Sequence, residues 1–189
     1  MTQSSTQAPL VTQEHIDTYR RDGVVLVRGL FADHVETLRA GVARNMEDPG
    51  PYASENKRDG EQGRFFDDYC NWQRIPEFEE VIRTSQAAEA ASALMGSERV
   101  QLFHDHVLVK EPGTSMATPW HSDGPYYFVE GQQVVSFWSP LDPVTTASLR
   151  CVAGRTCGKR TCCRPAGPRA MRFSTLRPIC RCPILTPKV

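Results

Sequence analysis

The residue types best suited to chemistry sit in one stretch, Thr118-Pro119-Trp120-His121-Ser122-Asp123-Gly124-Pro125-Tyr126-Tyr127. It holds a His-x-Asp pair, and the apolar run Val134-Val135-Ser136-Phe137-Trp138 follows. In an extended segment, residues two apart point to the same side. The imidazole of His121 and the carboxylate of Asp123 can therefore reach one ion together. A nitrogen and a carboxylate that leave coordination positions open suit non-heme Fe(II) chemistry with O₂. A three-residue pattern arises often by chance, so its surroundings must decide.

The elements that would position this pair can be read along the chain. Thr12 to Asp22 predicts a helix, with Thr12 as N-cap, Ile16 and Tyr19 as an apolar stripe and Gly23 as the stop. Val24 to Val27 predicts a short strand ending at Arg28-Gly29. Asp33-x-x-Glu36 has the form of a capping box opening a second helix, with Val35, Leu38 and Val42 at helical spacing. That helix stops before Pro49-Gly50-Pro51, and residues 49–63 read as a loop. Arg64 to Trp72 is dense in aromatics, as core packing or a pocket wall. Pro76 to Met95 predicts two helices, the first ending at Ile82 and an Ala-rich second following Ser85, closed by Gly96. Val100 to Lys110 predicts a strand. Phe103, Asp105, Val107 and Val109 lie on one face; Leu102, His104, His106, Leu108 and Lys110 lie on the other. Pro112-Gly113-Thr114 is a turn, and Gln133 to Leu141 a further strand. Helices followed by strands and turns imply a mostly β or α+β fold, not an alternating parallel sheet.

Composition divides the chain sharply. All 22 Asp and Glu lie in residues 1–150 with 13 Lys and Arg, a net charge of −9. Residues 151–189 hold seven Arg, two Lys, six of the seven Cys and no acid. All five His lie at or before His121. One globular domain does not usually change composition so abruptly. No run of about 18 apolar residues indicates a membrane span, and Met1 to Pro9 lacks the apolar core of a secretory signal. The expectation is a cytoplasmic protein.

Four motifs carry a family resemblance. They are Tyr19-Arg20-Arg21-Asp22-Gly23-Val24-Val25-Leu26-Val27-Arg28-Gly29-Leu30-Phe31, Phe103 to Gly113, Pro119 to Asp123, and Phe137-Trp138-Ser139-Pro140-Leu141-Asp142. In that order they resemble the phytanoyl-CoA dioxygenase family of Fe(II)/2-oxoglutarate-dependent oxygenases. The resemblance implies a double-stranded β-helix, a jelly-roll of two antiparallel sheets with flanking helices, here partial and incomplete at the C-terminus. It implies Fe(II) and the cosubstrate 2-oxoglutarate, ascorbate as reductant, and His121 and Asp123 as two of three metal ligands. It also implies a third ligand, a later His, and an Arg about ten residues beyond it for the distal carboxylate of 2-oxoglutarate. Three protein ligands leave room for bidentate 2-oxoglutarate and O₂, and an Arg fork suits a carboxylate. The reaction implied is decarboxylation to succinate and CO₂ coupled to attack on an unactivated C–H bond of a small organic substrate. A carboxylate at Asp123 favours hydroxylation, since halogenating relatives need that position vacated. Trp138, His106 and Lys110 are cosubstrate-site candidates, each with a plain alternative as a core aromatic, a structural His or a surface Lys; His104 reads as structural. Trp120, Tyr126 and Tyr127 would line the substrate pocket.

The pattern breaks where the composition does. Family members continue with something like Val-Ala-Gly-Ser-His and then Gly-Lys-x-Val-Leu-Pro-x-Arg. Here Cys151-Val152-Ala153-Gly154 is followed by Arg155-Thr156-Cys157, and no His follows. Codon degeneracy permits an out-of-frame reading. Gly154 to Cys157 as GGN-CGN-ACN-TGY, read with each third base joined to the next two, allows TCG-CAC-GTG, or Ser-His-Val. Extended towards Gly167, the same offset allows Lys, Asp-Val-Leu-Pro-Thr-Arg and Trp, with the His and the Arg ten codons apart.

The expected organisation is a disordered 1–11, an incomplete oxygenase-like domain over 12–150, and an out-of-frame, disordered tail over 151–189. Such a chain would be inactive or impaired. Zinc binding by the tail lacks a C-x2-C pair or a supporting His, and disulfides do not suit a reducing cytoplasm. Two other classes remain: a non-catalytic metabolite-binding remnant, and a nucleic-acid-binding protein acting through the basic tail. The second lacks aromatic interleaving there. The partner expected is a small-molecule substrate, with neither membrane nor nucleic acid.

Overall fold

In a computed structural model the described residues are 9–121, 123, 131, 133–145 and 149–154. Helix α1 (Gln13–Asp22) starts on a complete capping box. The Thr12 hydroxyl accepts from the His15 amide, and the Thr12 amide donates to the His15 ring. It stops at Gly23 in the left-handed conformation, which glycine adopts without a Cβ penalty. Val24 to Val27, expected as a strand, forms none. A 3₁₀ turn (Ala32–His34) leads into α2 (Val35–Glu47), whose N-cap is His34 with no side-chain cap. The capping box read at Asp33 does not form, because the tight turn occupies that position. The expected loop contains strand β1 (Ser54–Asn56). The aromatic run forms β2 (Phe65–Tyr69). Then come α3 (Pro76–Thr84), two residues longer than expected, and α4 (Ala87–Met95), closed by Gly96. Strand β3 (His106–Lys110) is the second half of the strand expected from Val100.

The three strands form one antiparallel sheet in the order β1-β2-β3. Phe66 pairs with Glu55 on one side and Val109 on the other. The period-2 alternation holds on both longer strands. Phe66 and Asp68 of β2 and Val107 of β3 point inward and are buried, whereas Tyr69, His106, Leu108 and Lys110 are exposed on the other face. Phe66, Ile75, Phe78 and Val107 form the core, with Leu38, Val42 and Met46 of α2, Ala53, Trp72 and Val109 against them. Helices α2 and α3 thus cover one face of the sheet. These residues support an α+β arrangement; the described strands are a single sheet, not the two of a jelly-roll.

Asp68 joins the layers. Fully buried, it accepts from Asn45 Nδ2 of α2 at 2.8 Å and from the Gly50 amide at 2.7 Å. Burial alone would raise its carboxyl; hydrogen bonds, led by Asn45 and the Gly50 amide, outweigh it and hold the group below the usual carboxylate range. Asp105 works alongside it. Its carboxylate accepts from the Asn71 and Trp72 amides, both at 2.9 Å, and its backbone carbonyl accepts from the Cys70 amide. This holds the loop that leaves β2 through Cys70, a non-glycine residue at φ 65°.

Residues 133–145 and 149–154 run without strand structure across the helices, where a strand was expected over Gln133 to Leu141. Their polar ties go to side chains and helix ends. Tyr19 Oη donates to the Val134 carbonyl, Arg39 donates twice to the Leu141 carbonyl, and Gln133 Nε2 donates to the Met95 carbonyl. Phe137 meets Phe31 edge-on at 6.0 Å. The apolar sequence suits a strand, but among the described residues no neighbouring strand lies alongside to supply a ladder. No helix among the described residues is long and apolar enough to cross a membrane.

Two changes test this packing. A Cβ at Gly41 in α2 would lie 2.5 Å from Phe78 Cε1, so Gly41→Ala should lower stability by about 1–3 kcal/mol, although alanine improves helix propensity by about 1 kcal/mol. Urea unfolding reads the difference; a more stable variant would refute the close approach. The Asp68 carboxyl is depressed in the fold, so its contribution is present above the unfolded value and lost as pH falls through the lower folded one. Stability should therefore drop below about pH 4, and Asp68→Ala should cost about 3 kcal/mol at neutral pH by orphaning buried donors while flattening that acid limb.

Candidate metal centre

His121 and Asp123 are brought together. His121 Nε2 lies 3.3 Å from Asp123 Oδ1. Two donors in adjacent positions on one ion, with bonds of about 2.1 Å, stand roughly 3 Å apart. The opposite ring nitrogen, Nδ1, lies 2.7 Å from the Pro119 carbonyl. A carbonyl only accepts, so Nδ1 carries a proton, and in the neutral ring Nε2 presents its lone pair to the carboxylate side. A second-sphere carbonyl that fixes the tautomer is what an imidazole metal ligand commonly has. Nitrogen and carboxylate donors of this kind suit a divalent transition metal, iron among them. The set is incomplete in number: among the described residues no group of three or more His, Cys, Asp or Glu is placed to hold a metal.

The other candidates divide into three places. Lys110, at the end of β3, donates to Thr118 Oγ1 at 2.8 Å and stands 5.0 Å from the Phe65 ring centroid. Loss of hydration there lowers its pKa. Thr118 is three residues before His121, so this contact ties the cation to the segment that carries His121 and Asp123. Sequence reasoning missed Thr118, although its place at the head of the Thr-Pro-Trp-His run was a usable signal. His106 shares the face with Lys110 but lies four residues away, about 13 Å along a strand. It sits among Asp67, at 3.9 Å, and the Tyr69 ring, edge-on at 5.6 Å. The two are therefore at opposite ends of the face. Trp138 is about half exposed on a segment that packs, through Phe137, against Phe31. Trp120 is 55% exposed beside His121, as a pocket rim would be. Tyr126 and Tyr127 lie outside the described residues.

A family model for phytanoyl-CoA dioxygenase (PhyH) matches residues 19–154. The match covers well over half of the chain and includes His121, Asp123, Lys110 and Trp138. The chain belongs to the phytanoyl-CoA dioxygenase family, which places it among oxygenases. No curated protein and no solved structure matches it.

The tautomer is directly measurable. Nitrogen-15 NMR of the neutral His121 ring should show the proton on Nδ1, against the usual preference of a free imidazole for Nε2. A proton on Nε2 would mean that the Pro119 contact does not form and that the lone pair points away from Asp123.

Proposed function

We propose that this chain carries the metal pair of an Fe(II)- and 2-oxoglutarate-dependent dioxygenase that hydroxylates a small organic substrate. One observation supports it above the rest: His121 Nε2, with its tautomer set by the Pro119 carbonyl, faces Asp123 Oδ1 at 3.3 Å. When bound, iron with 2-oxoglutarate supplies the oxidising power for a C–H bond. His121 and Asp123 are the residues that would hold the metal. Lys110, kept near them by Thr118, is the cation suited to a cosubstrate carboxylate. The exposed Trp120 ring beside His121 offers an apolar wall to the substrate. His106, at the far end of its strand, is better placed to meet substrate than cosubstrate. Trp138 stays the aromatic candidate for the cosubstrate side, on the strength of the family resemblance alone.

With two protein ligands in this chain, metal affinity is expected to be weak and turnover low. Anaerobic titration with Fe(II), and with Mn(II) as a spectroscopic stand-in, should give one weak site that tightens on adding 2-oxoglutarate. Asp123→Ala and His121→Ala should each weaken it at least tenfold. Acidification should weaken it too, because both ligands bind metal only when deprotonated. Lys110→Ala should leave metal binding alone and remove the tightening by 2-oxoglutarate. Metal binding unchanged by either ligand substitution would refute the assignment. Tight binding of 2-oxoglutarate without metal would instead favour the non-catalytic remnant.

A further inference from the structure

Among the described residues the sheet is covered on one face. Phe66, Val107 and Val109 meet the helices, but the other face presents Tyr52 at 52%, Tyr69 at 37% and Leu108 at 51% exposure, with Phe103 beside them at 53%. Tyr52 stacks on Tyr69 at 4.9 Å, and Phe103 packs on His104 at 4.9 Å. These rings lie on the face that also carries His106 and Lys110. Strand β3 also ends the sheet, with no further strand beside it among the described residues. An exposed aromatic-rich face next to an open edge is what native sheets normally cover or pair. Residues 133–154 add Phe137, Trp138, Val144, Leu149 and Val152, all exposed.

The family match ends at Gly154, and from Arg155 onward the sequence has no Asp or Glu. We propose that residues 155–189 are read in a shifted frame. The same codons read one base earlier encode the strands that cover this face and pair with β3. The genetic code restricts that offset reading independently of any family pattern. Thr156-Cys157 and Thr161-Cys162 each give NTG, which is Leu, Met or Val. Cys162-Cys163 gives YTG, which is Leu whichever base is used. Arg172-Phe173 gives NTT when the arginine codon is CGN, which is Phe, Leu, Ile or Val. The single codon of Met171 makes the next offset triplet GCG or GAG, Ala or Glu. Further offset triplets of the form NAC or NAT, as at Arg155-Thr156 and Ala170-Met171, admit Asp. The offset product is thus apolar at the written cysteines, carries Ser, Pro, Thr or Ala where an arginine codon is CGN, and restores the possibility of acids. The inference goes beyond the oxygenase reading and does not depend on it.

The test starts with the nucleotide sequence of codons 145–189. The offset frame should be open throughout and should contain Asp or Glu codons; a stop codon within it would overturn the proposal. The gene is then expressed as it stands and with a single-base correction near codon 154. Hydrogen exchange of the β3 amides that do not pair with β2 should slow at least tenfold in the corrected protein, and binding of the apolar dye ANS should fall. Equal exchange in the two proteins would overturn the covering role. So would protection in the uncorrected chain that rises with protein concentration, since a second copy would then be the natural cover. Neither outcome bears on whether His121 and Asp123 bind metal.

Discussion

The buried carboxylate of Asp68 is the constraint on which the rest of the described structure depends. It sits on the inward face of β2 and receives hydrogen bonds from α2 and from the backbone at Gly50. A buried charge without such partners would cost more than the surrounding apolar contacts supply. Helix, loop and strand must therefore arrive together, or the carboxylate must take up a proton. Arg74 reinforces the arrangement from outside. It donates to Asn71 Oδ1 at 2.6 Å and to Asp48 Oδ2 at 3.0 Å. Asp105 does the same from β3's side for the loop after β2. The sheet that carries His106 and Lys110 owes its orientation against the helices to these carboxylates as much as to Phe66 and Val107.

How much of this was legible in the sequence follows from where the determining interactions lie. Helix α1 was legible because Thr12 and Gly23 act locally. The faces of β3 were legible because alternation is a property of the strand itself, and Val107 turns inward while Leu108 turns out as read. The strands expected at Val24–Val27 and Gln133–Leu141 failed for a different reason. A strand needs a neighbour, and apolar β-branched sequence says nothing about whether one is present. The capping box at Asp33 failed because a local pattern met a tighter competing turn. The roles of Asp68 and Asp105 were invisible, since a buried acid looks like any surface acid until its partners are known.

The candidate site divides in the same way. The His121 and Asp123 pairing was readable from their spacing of two in the sequence. The family assignment, now resting on a match to residues 19–154, was readable from motif order. Pro119's part in setting the imidazole proton was not, because a backbone carbonyl carries no sequence label. Nor was the separation of Lys110 from His106: one face of a strand reads as one place, although its ends are far apart.

Gly41 has a consequence beyond its own contact. The nearest residues on the same side of α2, one turn away in either direction, are Leu38 and Asn45. If α2 slid by one turn along α3, the Phe78 ring would meet the bulk of Leu38 or the amide of Asn45 in place of the notch. The helix pair therefore behaves as a keyed joint with a single seating. That seating fixes the height at which Asn45 meets Asp68 and at which Arg44 meets Glu77, so the axial alignment of helices and sheet is set by an absent side chain.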